Sequence, residues 1–238
     1  MKNRNFMNNY WKDIDYKLEK LLSDGYVKLP SLVDYDLDAV SQLISNDMPG
    51  RTFSELNNSH KSFLDVLEVD KYLKPKLFKL AKSNFNYEGN FNNEYHIARK
   101  VDPGNSKEMY RAHFDSHLFT IVLPLKIPNK VDSQCNIGEL IFVPNARKSP
   151  KNEITNFVSK LWHKKYASKS GIEKYNATFL EESFEDYCPI LFIGNSTLHT
   201  NKPVSSECDS YRLTLLAHYF DPSPKYGIGS LLRALRSR

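Results

Sequence analysis

The chain has 238 residues, 40% hydrophobic and 26% charged, with a formal net charge of +5; these are the proportions of an ordinary soluble domain with room for a sizeable core. No apolar run approaches the ~18 residues of a membrane span, and Met1–Asn9 has no apolar h-region, so no secretory leader is read and the cytoplasm is the expected compartment. Cys135, Cys188 and Cys208 are odd in number and widely spaced, which reads as three free thiols rather than a disulfide framework or a zinc site, and the modest charge without any basic-aromatic segment predicts no nucleic-acid partner.

In chain order, Trp11, Ile14, Leu18, Leu21 and Leu22 recur at helical spacing and predict a helix over 7–23, ended by Gly25. Tyr26 to Leu32 predicts a short strand. Asp34 or Asp36 caps a helix carrying Leu37, Val40, Leu43 and Ile44. After a turn at Met48-Pro49-Gly50 and a polar break at 57–60, Phe63, Val66 and Leu67 mark another helical stretch. Asp70 to about Ser83 is the next helix, with Leu73, Leu77 and Leu80 on one face and Pro75 near its first turn. The first third is therefore expected to be a helical buttress packed against one sheet.

From Glu94 the hydrophobic period becomes two. Strands are predicted over 94–101, 110–115, 118–127, 139–143, 190–193 and 212–220, separated by turns such as Asp102-Pro103-Gly104-Asn105. Many short strands in the later two-thirds predict a sandwich or jelly roll, mainly β with flanking helices, as one domain over 1–238. Residues 148–187 interrupt the pattern. Arg147 to Lys174 holds eight Lys/Arg against two Glu, Glu181 to Asp186 is acidic, and Ile154, Phe157, Val158, Leu161 and Trp162 have helical spacing. The segment reads as a lid-like insertion with at least one helix, or as a solvated surface excursion.

The chemistry gathers around Arg111-Ala112-His113-Phe114-Asp115-Ser116-His117. Residues two apart in a strand share a face, so His113 and Asp115 project together. His199, within Gly194–Asn201, is the best third ligand. Two His and one carboxylate with open positions form the facial triad of non-haem Fe(II) sites. His117 is the rival ligand, because it also lies two from Asp115. Arg212 opens the apolar run Leu213–Ala217, where an Arg is costly unless paired. It either grips a carboxylate in a bidentate fork or pairs with Glu207 or Asp209 at the surface. His60, His96 and His163 lack partners in sequence, and His218 reads as a core histidine or a support for the ligands. Tyr95, Arg99 and Lys100 lie on the strand before the triad, and alternation alone leaves open which of them faces inward.

The order His113-x-Asp115, a long gap, His199, then Arg212 at the start of a late strand resembles the Fe(II)/2-oxoglutarate-dependent oxygenases, and among them the phytanoyl-CoA dioxygenase-like branch. Gly25–Asp34 resembles that branch's N-terminal strand. Gly138–Arg147 resembles its Gly-x-Leu…Pro-Gly-Ser-His segment, and Ile190–Gly194 the strand before the distal His. The likeness covers roughly residues 20–221 and departs from the pattern at Asn145-Ala146 and in the long basic insertion. It implies a double-stranded β-helix (jelly roll) core and Fe(II) on His113, Asp115 and His199. It further implies 2-oxoglutarate held by Arg212 with Asn201 as a polar contact, and O2 as the other co-substrate. The implied reaction is hydroxylation, since the Asp115 carboxylate argues against halogenation. The basic insertion after Arg147, together with Arg111 two residues before His113, predicts a small or medium-sized polar substrate carrying an anionic group. The alternatives are a non-catalytic jelly-roll binding module and a hydroxylase acting on a protein or peptide.

Overall fold

Two antiparallel sheets face each other, and helices cover the outer face of the larger one. The structure is a computed structural model that describes residues 9–48, 52–55, 58–105, 109–132, 135–150, 158–159, 161–163, 168–174 and 178–222. Ile154, Phe157 and the basic C-terminal residues 231–238 lie outside the described residues. The helical buttress is α1 (Ile14–Asp24), α2 (Leu37–Asn46), α3 (Asn58–Val66), α4 (Val69–Tyr72) and α5 (Lys74–Phe85). Gly25, at φ 82, ends α1 and returns its N–H to Leu21 O, the left-handed stop that glycine makes at little cost. Asp36 caps α2 by accepting the Ala39 N–H at 3.1 Å. The single helix predicted from Asp70 is two pieces instead, α4 and α5, because Pro75 in the first turn of α5 has no N–H to carry the ladder across. Asn9 and Tyr10 are helical, a turn follows at Trp11-Lys12-Asp13, and α1 then runs from Ile14; the expected start at residue 7 lies outside the described residues. None of the described helices is long and apolar enough to cross a membrane.

The strands are β1 (Tyr26–Lys28), β2 (Phe53–Glu55), β3 (Glu94–Val101), β4 (Phe119–Lys126), β5 (Leu140–Val143), β6 (Leu180–Glu182), β7 (Ile190–Ile193), β8 (Leu198–Asn201) and β9 (Arg212–Tyr219). The large sheet runs β1-β7-β4-β9-β3-β2 and the small one β6-β5-β8, with every strand pair antiparallel. This is the mainly-β jelly-roll architecture with flanking helices that the strand pattern predicts. Alternation sorts the two faces of the large sheet. Phe119, Ile121 and Leu123 of β4, Leu213, Leu215 and Ala217 of β9, and Leu191 and Ile193 of β7 pack under Trp11, Ile14, Leu18, Leu21, Leu73 and Leu77 of the helical layer. Val122, Ile190 and Phe192 face the small sheet and meet Leu140, Phe142 and Phe184.

The predicted strand 110–115 does not form. Its one ladder element is the bridge His113↔His199. Tyr110 has left-handed backbone at φ 55, which breaks a regular ladder, yet the segment stays beside β8 through Tyr110 N–H to Asn201 O (3.0 Å) and paired His113–His199 backbone bonds (3.0 Å each). Residues 148–187, read as an insertion, supply α6 (Lys169–Lys174) and β6, which pairs with β5. Ile172 and Phe184 of the same stretch are buried in cores, whereas Leu161 and Trp162 are exposed. Cys135, Cys188 and Cys208 are free thiols.

Candidate metal centre and its cavity

His113 and His199 are held by their own backbone bridge, one on the irregular segment and one on β8. Asp115 is fixed from the other side, its N–H donating to Gly194 O at 3.1 Å. The side chains converge: His113 Nε2 lies 3.7 Å and His199 Nε2 3.6 Å from Asp115 Oδ1. Single ligand atoms of the three lie within 4.8 Å of one another. Each imidazole offers Nδ1 to a main-chain carbonyl, His113 to Arg111 O at 3.0 Å and His199 to Thr197 O at 3.1 Å. A carbonyl only accepts, so both Nδ1 atoms carry a proton, and both Nε2 atoms are turned to the carboxylate. That is the orientation a metal requires, with the outer hydrogen bond that usually orients a ligating histidine.

The electrostatics suit a cation. Burial alone raises the Asp115 carboxyl. His199, His218 and His113, with the Thr120 hydroxyl, outweigh that and hold it well below the usual carboxylate range. Desolvation and the neighbouring His199 push the His113 imidazole down, although its side chain is 57% exposed toward the cavity and water moderates the effect. The group is thus an ionised carboxylate beside two imidazoles, a donor set of two nitrogens and one oxygen that fits a ferrous ion.

These residues line a cavity of about 540 Å³ together with Arg99, Arg111, Thr120, Asn201, Arg212 and His218. Strand register explains why. On β9 the even positions Arg212, Thr214, Leu216 and His218 face inward, opposite Val101, Arg99, Ile97 and Tyr95 of β3. The face that alternation left open is therefore settled: Tyr95 and Arg99 point inward, and Lys100 points out, its ammonium over Tyr211 at 4.3 Å.

Arg212 is 1% exposed and does not pair with Glu207 or Asp209 at the surface. Its Nε and Nη2 have no hydrogen-bond partner among the described residues, and its guanidinium carbon sits 5.4 Å from the Phe184 ring centroid. Burial pulls its pKa down to about 9, Arg99 adds repulsion and Glu139 opposes both, so it stays charged at neutral pH. A buried cation that lines a cavity and has two donors without a partner among the described residues is a site for an anion. Asn201 is buried nearby and accepts from Arg99 Nη1 at 2.6 Å while its own Nδ2 bonds Gly138 O at 3.3 Å.

The rival ligand His117 stands apart from the three-residue group. Its ring stacks on His218 at 5.3 Å and Tyr95 at 6.2 Å, because the segment is not a regular strand and the expected alternation ends after Asp115. His96 is on the outer face beside Glu94 (3.8 Å). His163 lines the cavity mouth, edge-on to Phe114 at 4.9 Å. The side chain of His60 lies outside the described residues. Two site residues had no assigned part in the sequence reading. Thr120 donates to Asp115 Oδ2 at 2.6 Å; a hydroxyl inside the apolar run 118–125 was the available signal. Glu139 is buried behind Arg212, its Oε1 accepting the Ile137 N–H at 3.2 Å; a carboxylate opening the apolar run Leu140–Val143 was its signal.

No protein-family model matches the sequence, and no curated protein does. Among solved structures, the chain resembles a prolyl hydroxylase from Trichoplax adhaerens in complex with a hypoxia inducible factor oxygen degradation domain peptide fragment. The TM-score is 0.56 at 14% identity, covering 100% of this chain and 99% of that one. It also resembles HygX from Streptomyces hygroscopicus with iron bound, at TM-score 0.51 and 10% identity, over 86% of each chain. At such identities the likeness is one of fold.

Proposed function

We propose that the protein is a non-haem Fe(II)- and 2-oxoglutarate-dependent oxygenase that hydroxylates its substrate. The observation that carries this reading is the pairing, across one cavity, of the His113–Asp115–His199 group with a buried Arg212 whose Nε and Nη2 are idle. Either alone has other uses; together they match an ion and a dicarboxylate bound side by side. Support for the fold comes from the Trichoplax and Streptomyces neighbours, a hydroxylase and an iron-bound protein by their own descriptions.

In this reading His113, Asp115 and His199 hold the metal, and the carbonyls of Arg111 and Thr197 hold the two imidazoles in the ligating tautomer. Arg212 takes the far carboxylate of 2-oxoglutarate, and its burial keeps water from competing for that contact. Asn201 orients Arg99 on the same wall. The bound Fe(II), 2-oxoglutarate and O2 together supply oxidation of an unactivated C–H bond, with succinate and CO2 released. The chain's contribution is binding, orientation and exclusion of water.

The substrate we favour is a small or medium-sized polar molecule with an anionic group. Arg99 and Arg111 on the cavity wall support this, as does the basic stretch after Arg147, with residues 148–187 acting as a cover. A peptide or protein substrate is the second reading. Phe53 and Tyr95, 42% and 41% exposed on the inner face of the large sheet, favour it as an aromatic rim for an extended chain. The test has two stages. Anaerobic addition of 2-oxoglutarate to Fe(II)-loaded protein should give the visible absorption of a chelated 2-oxo acid, and aerobic incubation should yield succinate. Loaded protein is then incubated with metabolite and peptide pools, and products are searched for a gain of one oxygen. A protein that neither binds Fe(II) nor consumes 2-oxoglutarate is a binding module instead.

A further inference from the structure

We propose that Thr120 and His218 form a clamp that holds Asp115 as a one-oxygen metal ligand; the inference rests on the metal-site reading above. Asp115 divides its two oxygens. Oδ1 faces both imidazoles, 3.7 Å from His113 Nε2 and 3.6 Å from His199 Nε2. Oδ2 is turned away and accepts the Thr120 hydroxyl at 2.6 Å. Thr120 Oγ1 in turn lies 3.0 Å from His218 Nδ1. An ionised carboxylate only accepts and a hydroxyl has one proton, so the direction of the chain follows. His218 Nδ1–H donates to Thr120 Oγ1, and Thr120 O–H donates to Asp115 Oδ2. Such a charge-assisted bond is the strong, short kind.

The fold is built to hold this chain in place. Thr120 and His218 are direct cross-strand partners on β4 and β9, and they are 1% and 7% exposed. Gly194 leaves the space: a Cβ there would come 2.7 Å from Thr120 Oγ1 and 3.1 Å from Asp115 Cβ. The same glycine's carbonyl anchors the Asp115 N–H. The carboxylate is therefore fixed at its backbone and at its distal oxygen, and only Oδ1 is left to coordinate.

The consequence is a coordination count. Two imidazoles and one carboxylate oxygen take three of the six positions of an octahedral ion and leave three open. A chelating 2-oxo acid takes two of those, and a small third ligand needs the last. If Asp115 rotated to bind through both oxygens, that last position would be lost. Thr120 is on this argument a positioning residue whose role is to keep a site open.

The experiment uses Mn(II), which occupies such sites without redox chemistry and reports exchangeable water through proton relaxation. Wild type, Thr120→Val and Thr120→Ser are titrated with Mn(II), and relaxation is expressed per bound ion. The valine variant keeps the shape and loses the donor; the serine variant keeps the donor. Thr120→Val is expected to bind Mn(II) about 10–100-fold more weakly and to lose about one third of the relaxation per bound ion. Thr120→Ser should retain both. If Thr120→Val does not fold, His218→Phe carries the same test, because without its Nδ1–H the hydroxyl has nothing to fix its direction. Weaker binding with unchanged relaxation per ion overturns the clamp, since any loosening of the pocket would give that. Wild type that binds no Mn(II) overturns instead the metal-site reading beneath it.

Discussion

Gly138 lies directly against the aliphatic stem of Arg212: a Cβ built on it would come 2.7 Å from Arg212 Cδ and 3.1 Å from Val204 Cγ2. The glycine also has φ +86, where other residues are strained by about 1–2 kcal/mol. Two independent reasons thus put a glycine beside the buried arginine. Gly138→Ala is expected to lower thermal stability and to weaken 2-oxoglutarate binding, because Arg212 must move. A variant that loses stability yet binds 2-oxoglutarate as wild type does would show that the glycine serves only the turn.

Arg212 itself should set the affinity for the co-substrate. Removing one side of a buried charge-assisted pair costs about 2–5 kcal/mol, or about thirtyfold to several thousandfold in apparent KM. Arg212→Lys should also be poor, since an ammonium does not reproduce the planar fork. Titration of Fe(II)-loaded variants with 2-oxoglutarate decides the matter, and an Arg212→Ala protein with wild-type dependence would end the assignment.

The two candidate ligand sets give different mutant patterns. His113→Ala, Asp115→Ala and His199→Ala should each lose stoichiometric Fe(II), measured as metal retained after anaerobic desalting. His117→Ala should retain it, because that ring stacks on His218 and Tyr95 rather than joining the three-residue group. Full occupancy in His199→Ala with loss in His117→Ala would reverse the choice.

How much of this was legible in the sequence follows from what each residue must do locally. The long strands β3, β4 and β9 show themselves by length and apolar content, β4 and β9 being buried on both faces, and the His113-x-Asp115 pair shows itself as a residue pattern although its segment is not a regular strand. The short strands β2 and β6 do not. Their exposure patterns are exposed–intermediate–exposed and exposed–exposed–intermediate, so no hydrophobic signal marks them. Strand β8 is wholly buried, yet its polar His199, Thr200 and Asn201 carry no strand signal; their burial is the mark of the site. The inward face of β3 needed the pairing Tyr95↔His218, a long-range fact that alternation within one strand does not contain. Leu161 and Trp162, whose helical spacing marks the lid-like insertion, are 53% and 72% exposed, and Phe157 lies outside the described residues.

The last prediction concerns stability against pH, away from the metal group. Lys74 of α5 is buried, its side chain 3% exposed, and its ammonium lies 2.6 Å from Glu94 on β3 and 3.5 Å from the more exposed Asp70. His96 also approaches Glu94, at 3.8 Å. The nearby His96 leads in lowering it, burial opposes, and Lys74 adds to the pull, so the Glu94 carboxyl falls from its ordinary 4.5 to about 2. The folded pKa lies below the unfolded one, so the contribution is fully present above about pH 4.5 and is lost as the pH falls through about 2. At neutral pH it should be worth about 1–3 kcal/mol, with partial exposure keeping it below the value of a fully buried pair. Other carboxylates titrate over the same range, so the measurement is a difference: urea midpoints of wild type and Glu94→Gln from pH 7 to pH 2. The variant should be less stable by that amount at pH 7, and the gap should close between pH 4.5 and 2. A gap that stays constant down to pH 2 would mean that Glu94 contributes by packing and hydrogen bonding alone, and that its charge does not tie the helical layer to the sheet.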